Sequence, residues 1–110
     1  MRAIINGTVY TMAGEIIEAG TVLIEGGKII AVGAHLALPA DTEIIEAKDK
    51  FVLPGIIDAH THIGVYEEGV GFEGADGNEM TNPATPQVRA LDAINPMEPG
   101  FKGAVAGGVT

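Results

Sequence analysis

The chain has 110 residues, 46% of them hydrophobic, no cysteine, and a formal net charge of −9 with neutral histidines. The negative charge argues against nucleic acid and anionic membrane surfaces as partners. Since there is no thiolate, any metal must bind to nitrogen and oxygen atoms. No apolar run approaches the roughly 18 residues of a membrane span. The first residues also lack the apolar core of a signal peptide, so we expect a cytoplasmic protein.

Short apolar stretches separated by turn signals fill the first half of the chain. Asn6-Gly7 predicts a tight hairpin between two strands, because this dipeptide favours such turns. Ala19-Gly20 and Gly26-Gly27 predict two further turns. The pattern is typical of an antiparallel meander, belonging either to a small β-sandwich or to a self-contained barrel. The expected strands are residues 2–6, 8–12, 15–18, 21–25, 28–32, 43–47 and 51–53.

Two of the three histidines lie close together in a short apolar stretch, residues 56–63. A strand there has a side-chain period of two, so Asp58, His60 and His62 share one face. Polar side chains on an otherwise apolar strand need a partner. We therefore predict that His60 and His62 bind a metal; a pair of half-buried structural histidines is the alternative. His35 stands alone in the connection 33–42, and we expect no catalytic role for it.

Residues 54–62, Pro-Gly-Ile-Ile-Asp-Ala-His-Thr-His, resemble the first metal motif of the amidohydrolase superfamily. Upstream, residues 29–33 and 51–55 are similar to the N-terminal strands of that family. Downstream, residues 92–96 and 108–110 are similar to its imidazolonepropionase-related branch. The resemblance covers nearly the whole chain, and it is specific for the superfamily without choosing a substrate.

The family's fold implies two unfinished parts. Residues 1–54 would be the N-terminal part of a small β-sandwich. Residues 55–110 would be the first strand, a long loop and the first helix of a TIM (β/α)8 barrel. A complete barrel needs about 250 residues, so the fold is incomplete as given, and we expect the N-terminal piece of a longer enzyme. Asp49 departs from the glycine that many members have before the strand, but aspartate tolerates a left-handed turn.

The family's chemistry implies a metal-dependent hydrolase that cleaves a C–N bond of a small molecule. The cofactor would be one or two divalent metal ions, and zinc is the metal we expect. The general base and the remaining ligands come from later barrel strands in this family, so the 110 residues alone should be inactive. Asp58 would form hydrogen bonds next to the two histidine ligands and would not bind the metal itself. The partners implied are the remainder of the barrel and further copies of the chain. The alternative is a non-catalytic β-rich assembly module with a structural or relic histidine pair.

The segment after Gly64 is long, rich in glycine and acidic. Loops beyond about 12–15 residues are usually functional or disordered. We predict either an active-site lid or rim, or a loop that is merely solvated or contacts another subunit. Its Asp-Gly-Asn-Glu sequence does not match a calcium-binding EF-hand. Asn95-Pro96 is predicted to open a helix that ends at Gly107 or Gly108. The candidate loop carboxylates are Glu67, Glu68, Glu73, Asp76 and Glu79.

Overall fold

The computed structural model describes residues 1–110, which form two compact units, Met1–Pro54 and Gly55–Thr110. The first unit is a five-stranded sheet, and the second contains turns, two short 3₁₀ segments and one helix. The boundary coincides with the Pro54-Gly55 break. The interpretation of these units as parts of a sandwich and of a barrel stays a prediction.

The sheet of the first unit has the strand order β3-β2-β1-β4, and β5 also pairs with β1. Strands β1, β2 and β3 are antiparallel neighbours, as the meander predicts. Strands β4 and β5 instead run parallel to β1, so the sheet is mixed. The long connection after β3 makes this possible, because parallel pairing needs a crossover rather than a tight turn. The strands are β1 (Arg2–Tyr10), β2 (Ile16–Glu25), β3 (Lys28–Gly33), β4 (Glu43–Glu46) and β5 (Phe51–Val52).

The predicted hairpin at Asn6-Gly7 is wrong, because both residues lie inside the continuous strand β1. Asn6 has a φ of 63°, and the register between β1 and β2 shifts on both sides of the Gly7–Gly20 pair. The positive φ therefore belongs to a β-bulge, not to a chain reversal. A β-carbon on Gly7 would lie 2.6 Å from Val52 Cγ2. Glycine is needed at position 7 because β5 packs closely there.

The predicted break at Ala19-Gly20 is wrong for the same reason, since β2 continues through it. The reversal between β1 and β2 lies instead at Thr11–Glu15, where the Thr11 N–H donates to the Glu15 carbonyl at 3.2 Å. The Gly26-Gly27 turn is present between β2 and β3, with both glycines at positive φ. Asp49 has a φ of 60°, the left-handed conformation that aspartate tolerates.

The core of the first unit is small. Its buried apolar side chains lie on the central strands and beside them: Ala3, Val9, Val22, Leu23 and Ala47. An open apolar cavity of about 270 Å³ lies on the sheet and is lined mainly by aliphatic side chains. Ile29 at its edge is 65% exposed. The sheet therefore leaves part of its apolar surface in contact with solvent.

The predicted strand over residues 56–63 is wrong beyond its first residue. Ile56 forms a single parallel bridge with Val109. The Ile56 N–H donates to the Gly108 carbonyl at 2.8 Å, and the Thr110 N–H donates to the Ile56 carbonyl at 2.9 Å. After Ile56 the backbone bends and turns, because no second strand lies beside it to continue the ladder.

The acidic segment is more ordered at its start than the sequence predicts. Tyr66 and Ala75 form an antiparallel bridge, with a 3₁₀ turn at Gly71–Gly74 between them. The Glu67 N–H donates to the Gly74 carbonyl at 2.9 Å, and the Asp76 N–H donates to the Val65 carbonyl at 2.8 Å. We call residues 65–77 the bridged loop.

Helix α1 covers Gly100–Ala106 and begins later than predicted. Asn95 does not cap it: its side chain accepts the Met97 N–H at 3.0 Å in a separate turn. The Glu98 carboxylate instead accepts the Gly100 N–H at 2.7 Å, at the first residue of the helix. The helix ends at Ala106, in agreement with the predicted end at Gly107 or Gly108, and Gly108 has a φ of 87°. No helix in the structure is long and apolar enough to cross a membrane.

Limited proteolysis should separate the bridged loop from the residues after it. Residues 78–88 are almost all exposed and carry mainly local hydrogen bonds, such as the Ala84 N–H to Asn82 Oδ1 at 3.2 Å. We expect a protease of broad specificity to cut first between residues 78 and 88, since backbone without tertiary hydrogen bonds opens most easily. Mass spectrometry of the first fragments checks this. First cuts within 65–77 would contradict the order described for the bridged loop.

Candidate functional site

The imidazole rings of His60 and His62 converge in the second unit. Their Nε2 atoms are 3.3 Å apart, and the ring centroids are 5.2 Å apart. Both residues are exposed, so the half-buried structural pair does not describe them. A separation of 3.3 Å exceeds the usual range for a hydrogen bond from nitrogen. The two Nε2 atoms therefore lie close together without a strong hydrogen bond between them.

Side-chain-to-backbone hydrogen bonds shape the chain around this pair. Asp58 Oδ1 accepts the His60 N–H at 3.1 Å, and Thr61 Oγ1 accepts the Ile63 N–H at 3.2 Å. Each bond spans two residues, as in Asx and ST turns. Asp58 thus contacts the main chain of His60 and neither imidazole ring. It helps to set the direction in which the His60 side chain leaves the backbone.

A turn after His62 brings an aromatic ring onto its imidazole. The His62 carbonyl accepts the N–H groups of Val65, at 3.0 Å, and Tyr66, at 3.2 Å. This turn brings the side chains of residues 62 and 66 together, as in one turn of helix. The rings of His62 and Tyr66 stack with centroids 5.2 Å apart and an interplanar angle of 23°. His62 is therefore held between His60 and Tyr66.

The five candidate loop carboxylates do not join the histidine pair. No group of three histidine, aspartate or glutamate side chains converges in residues 1–110. Glu67 and Glu68 flank the bridge at Tyr66, and Glu73 lies in the 3₁₀ turn. Asp76 and Glu79 line a separate polar cavity of about 450 Å³ together with Arg89 and Asp92. His35 is exposed in the first unit.

Local hydrogen bonds shift the pKa of the Glu79 carboxyl group. Both the hydroxyl and the N–H of Thr81 donate to its Oε1. These bonds favour the charged form and lower the pKa of Glu79 below its usual value, the hydroxyl bond contributing most. Glu79 is fully exposed, so this is a local turn and not a buried catalytic group.

Two residues of the second unit, Tyr66 and Glu98, were not expected from the sequence. Tyr66 lies four residues after His62, a spacing that brings two side chains together only if the chain forms a helical turn there. The sequence does not predict such a turn. Glu98 is 3% exposed, although it lies between two prolines in an apparently polar stretch. No pattern in the sequence marks its burial.

Comparisons with known proteins support the resemblance seen in the motif. The chain superimposes over its whole length on an amidohydrolase from Thermotoga maritima, with a TM-score of 0.86 and 44% identity, covering 28% of that chain. It is 35% identical over 98 residues to amidohydrolase tasK of Hapsidospora irregularis, covering 83% of this chain and 10% of that protein. The chain is homologous to the N-terminal portion of amidohydrolases.

A third protein to which the chain is similar is an imidazolonepropionase. Imidazolonepropionase of Vibrio cholerae is 45% identical over 49 residues, which are 44% of this chain and 12% of that protein. No protein-family model matches the chain. The chain spans about a tenth of the length of these two curated amidohydrolase relatives. The names of the relatives are those of hydrolases that act on C–N bonds.

Proposed function

We propose that this chain is the N-terminal part of a metal-dependent amidohydrolase that cleaves a C–N bond, of the non-peptide or cyclic amide type, in a small molecule. The observation that carries the proposal is the convergence of His60 and His62 Nε2 atoms to 3.3 Å. It occurs within the motif that resembles the superfamily's first metal site. The homology to amidohydrolases agrees with it.

The two nitrogens fit a divalent ion by their spacing. Two nitrogen ligands of a tetrahedral zinc, each about 2.0–2.1 Å from the metal, lie about 3.3–3.4 Å apart. The observed 3.3 Å matches that separation. Neutral imidazole suits zinc and related ions. His60 and His62 would therefore hold one ion together, and the small-molecule substrate would bind in front of them.

The chain's own residues then have distinct tasks. His60 and His62 supply neutral Nε2 atoms as ligands, and Asp58 orients the His60 backbone from behind. A bound divalent ion would supply Lewis-acid activation of a water molecule near neutral pH. Two ligands fall short of the three protein ligands usual in catalytic zinc sites. We propose that the other ligands and the general base belong to barrel strands outside residues 1–110, and that the second unit begins that barrel.

The remaining parts of the proposal concern the whole protein. The first unit would belong to a small β-sandwich beside the barrel, and its open apolar surface agrees with an unfinished layer. We propose a cytoplasmic enzyme that is a homo-oligomer. The bridged loop and the acidic residues after it would border the substrate site, because barrel loops that follow strands do so.

Chelation of the complete enzyme tests the proposed function. Dialysis against a strong chelator should abolish hydrolysis of a panel of cyclic amides and N-acyl amino acids, and added zinc should restore it, because the ion activates the water. Metal content is measured by mass spectrometry alongside each rate. The matched control is the same dialysis with the chelator presaturated with zinc. Full turnover by metal-free protein would refute the proposal.

A further inference from the structure

The Tyr66 ring is fixed by the bridged loop and not only by its contact with His62. Its backbone is paired with Ala75, and hydrogen bonds on both sides of this bridge tie residues 65 and 67 to residues 76 and 74. Because the chain is held on both sides of Tyr66, its side chain leaves the backbone in a defined direction. Tyr66 is nevertheless 41% exposed, so the ring does not serve mainly to fill a core.

Gly77 lies against the hydroxyl end of the Tyr66 ring. A β-carbon built on Gly77 would overlap the hydroxyl, Cε2 and Cζ atoms of Tyr66. Any larger residue at position 77 would therefore displace the ring from its present position. Tyr66 thus contacts the His62 imidazole through its ring and is confined by Gly77 at its hydroxyl end.

We propose that Tyr66, confined by Gly77, is a positioning residue that orients the His62 imidazole for metal binding. This inference rests on the proposed function. His62 is exposed, and an exposed imidazole without a neighbour samples several rotamers and loses that freedom when it binds a metal. A stacked ring removes part of that freedom beforehand, which favours binding. The bridged loop, which is the first part of the acidic segment, thereby restrains the histidine pair.

The His62 ring stacks on an aromatic side chain, whereas metal-bound histidines are usually oriented by a hydrogen bond to the second ring nitrogen. The Asp58 carboxylate, which is near in sequence, is instead occupied by the His60 N–H. The Tyr66 ring stacks on the His62 ring, whereas His60 approaches His62 with its Nε2 atom. Tyr66 thus takes the orienting role by packing.

Zinc titration of the metal-free complete enzyme, followed by NMR of its isotope-labelled histidine rings, tests this inference. Tyr66→Leu and Gly77→Ala should each weaken zinc binding about tenfold, the lower range for losing a group that orients a ligand. Both should also remove the ring-current shift of His62 before zinc is added. Tyr66→Phe should keep the shift and the affinity, since the ring makes the stack. His35, exposed in the first unit, serves as an internal reference.

Gly103→Ala is the matched control for Gly77→Ala, because a β-carbon there meets no atom within 4 Å. It should leave zinc affinity and the His62 shift unchanged. Unchanged values in both Tyr66→Leu and Gly77→Ala would overturn the inference while the metal site stood. If His60→Ala bound zinc as tightly as the unaltered enzyme, or the unaltered enzyme bound none, the proposed ligand pair itself would be refuted. Circular dichroism establishes that each variant is folded.

Discussion

Replacing His60 or His62 with alanine is expected to remove tight metal binding and to lower kcat/KM of the complete enzyme roughly 100-fold or more, because each histidine is proposed to supply one of the few metal ligands. The chain has no cysteine, and its third histidine, His35, lies in the other unit. No other group of potential ligands converges in residues 1–110. Metal content per chain and steady-state kinetics measure the two effects together.

His35→Ala is the control for these substitutions, since it removes an exposed imidazole of the same kind elsewhere. It should leave both metal content and turnover unchanged. Full metal content and full rate in His60→Ala would show that the ligand assignment is wrong. A variant that kept its metal but lost turnover would assign His60 a role in the reaction other than ligation.

Replacing Glu98 with alanine is expected to lower the free energy of unfolding of the second unit by about 2 kcal/mol, because hydrogen bonds to a charged group contribute about 1.5–3 kcal/mol each. Glu98 is 3% exposed and accepts the Gly100 N–H at 2.7 Å. A longer bond of 3.4 Å comes from the Glu68 N–H in the bridged loop. Urea unfolding gives the stability, and hydrogen exchange of the Gly100 amide gives the local effect.

Glu73→Ala is the matched control, because Glu73 is an exposed carboxylate in the bridged loop of the same unit. Surface substitutions of this kind usually change stability by less than about 0.5 kcal/mol. We expect the Gly100 amide to exchange faster in Glu98→Ala and at the original rate in Glu73→Ala. Equal stability and equal exchange in the two variants would mean that the Glu98 bonds contribute nothing to the fold.

Glycine-containing dipeptides predicted a turn correctly only where the strands on both sides end at the dipeptide. Gly26-Gly27 lies between two strands that pair directly, so the turn follows from the dipeptide. Asn6-Gly7 carries the same signal but occupies a bulge, because the neighbouring strands extend through it. Positive φ is common to turns and bulges, and pairing across the sheet decides between them.

The second unit shows the same limit at its two ends. Ile56 and Val109, from the two ends of this unit, form a parallel bridge. The helix boundary was missed because Asn95 closes its own turn and leaves the capping of Gly100 to Glu98. Either side chain is a plausible acceptor in the sequence, and only the folded backbone selects one.

The sequence by itself determined the local elements of this protein: the strand-rich first half, the break at Pro54-Gly55, the left-handed residue at Asp49, and a His-x-His motif that resembles amidohydrolases. Each depends on side chains near one another in the chain. Only the tertiary structure decided that β4 and β5 lie parallel to β1, that Glu98 is buried, and that Tyr66 stacks on His62. The parallel strands and the burial of Glu98 depend on pairing and packing between distant residues, and the Tyr66 stack depends on a turn that the surrounding loop shapes. Composition and periodicity do not encode such contacts.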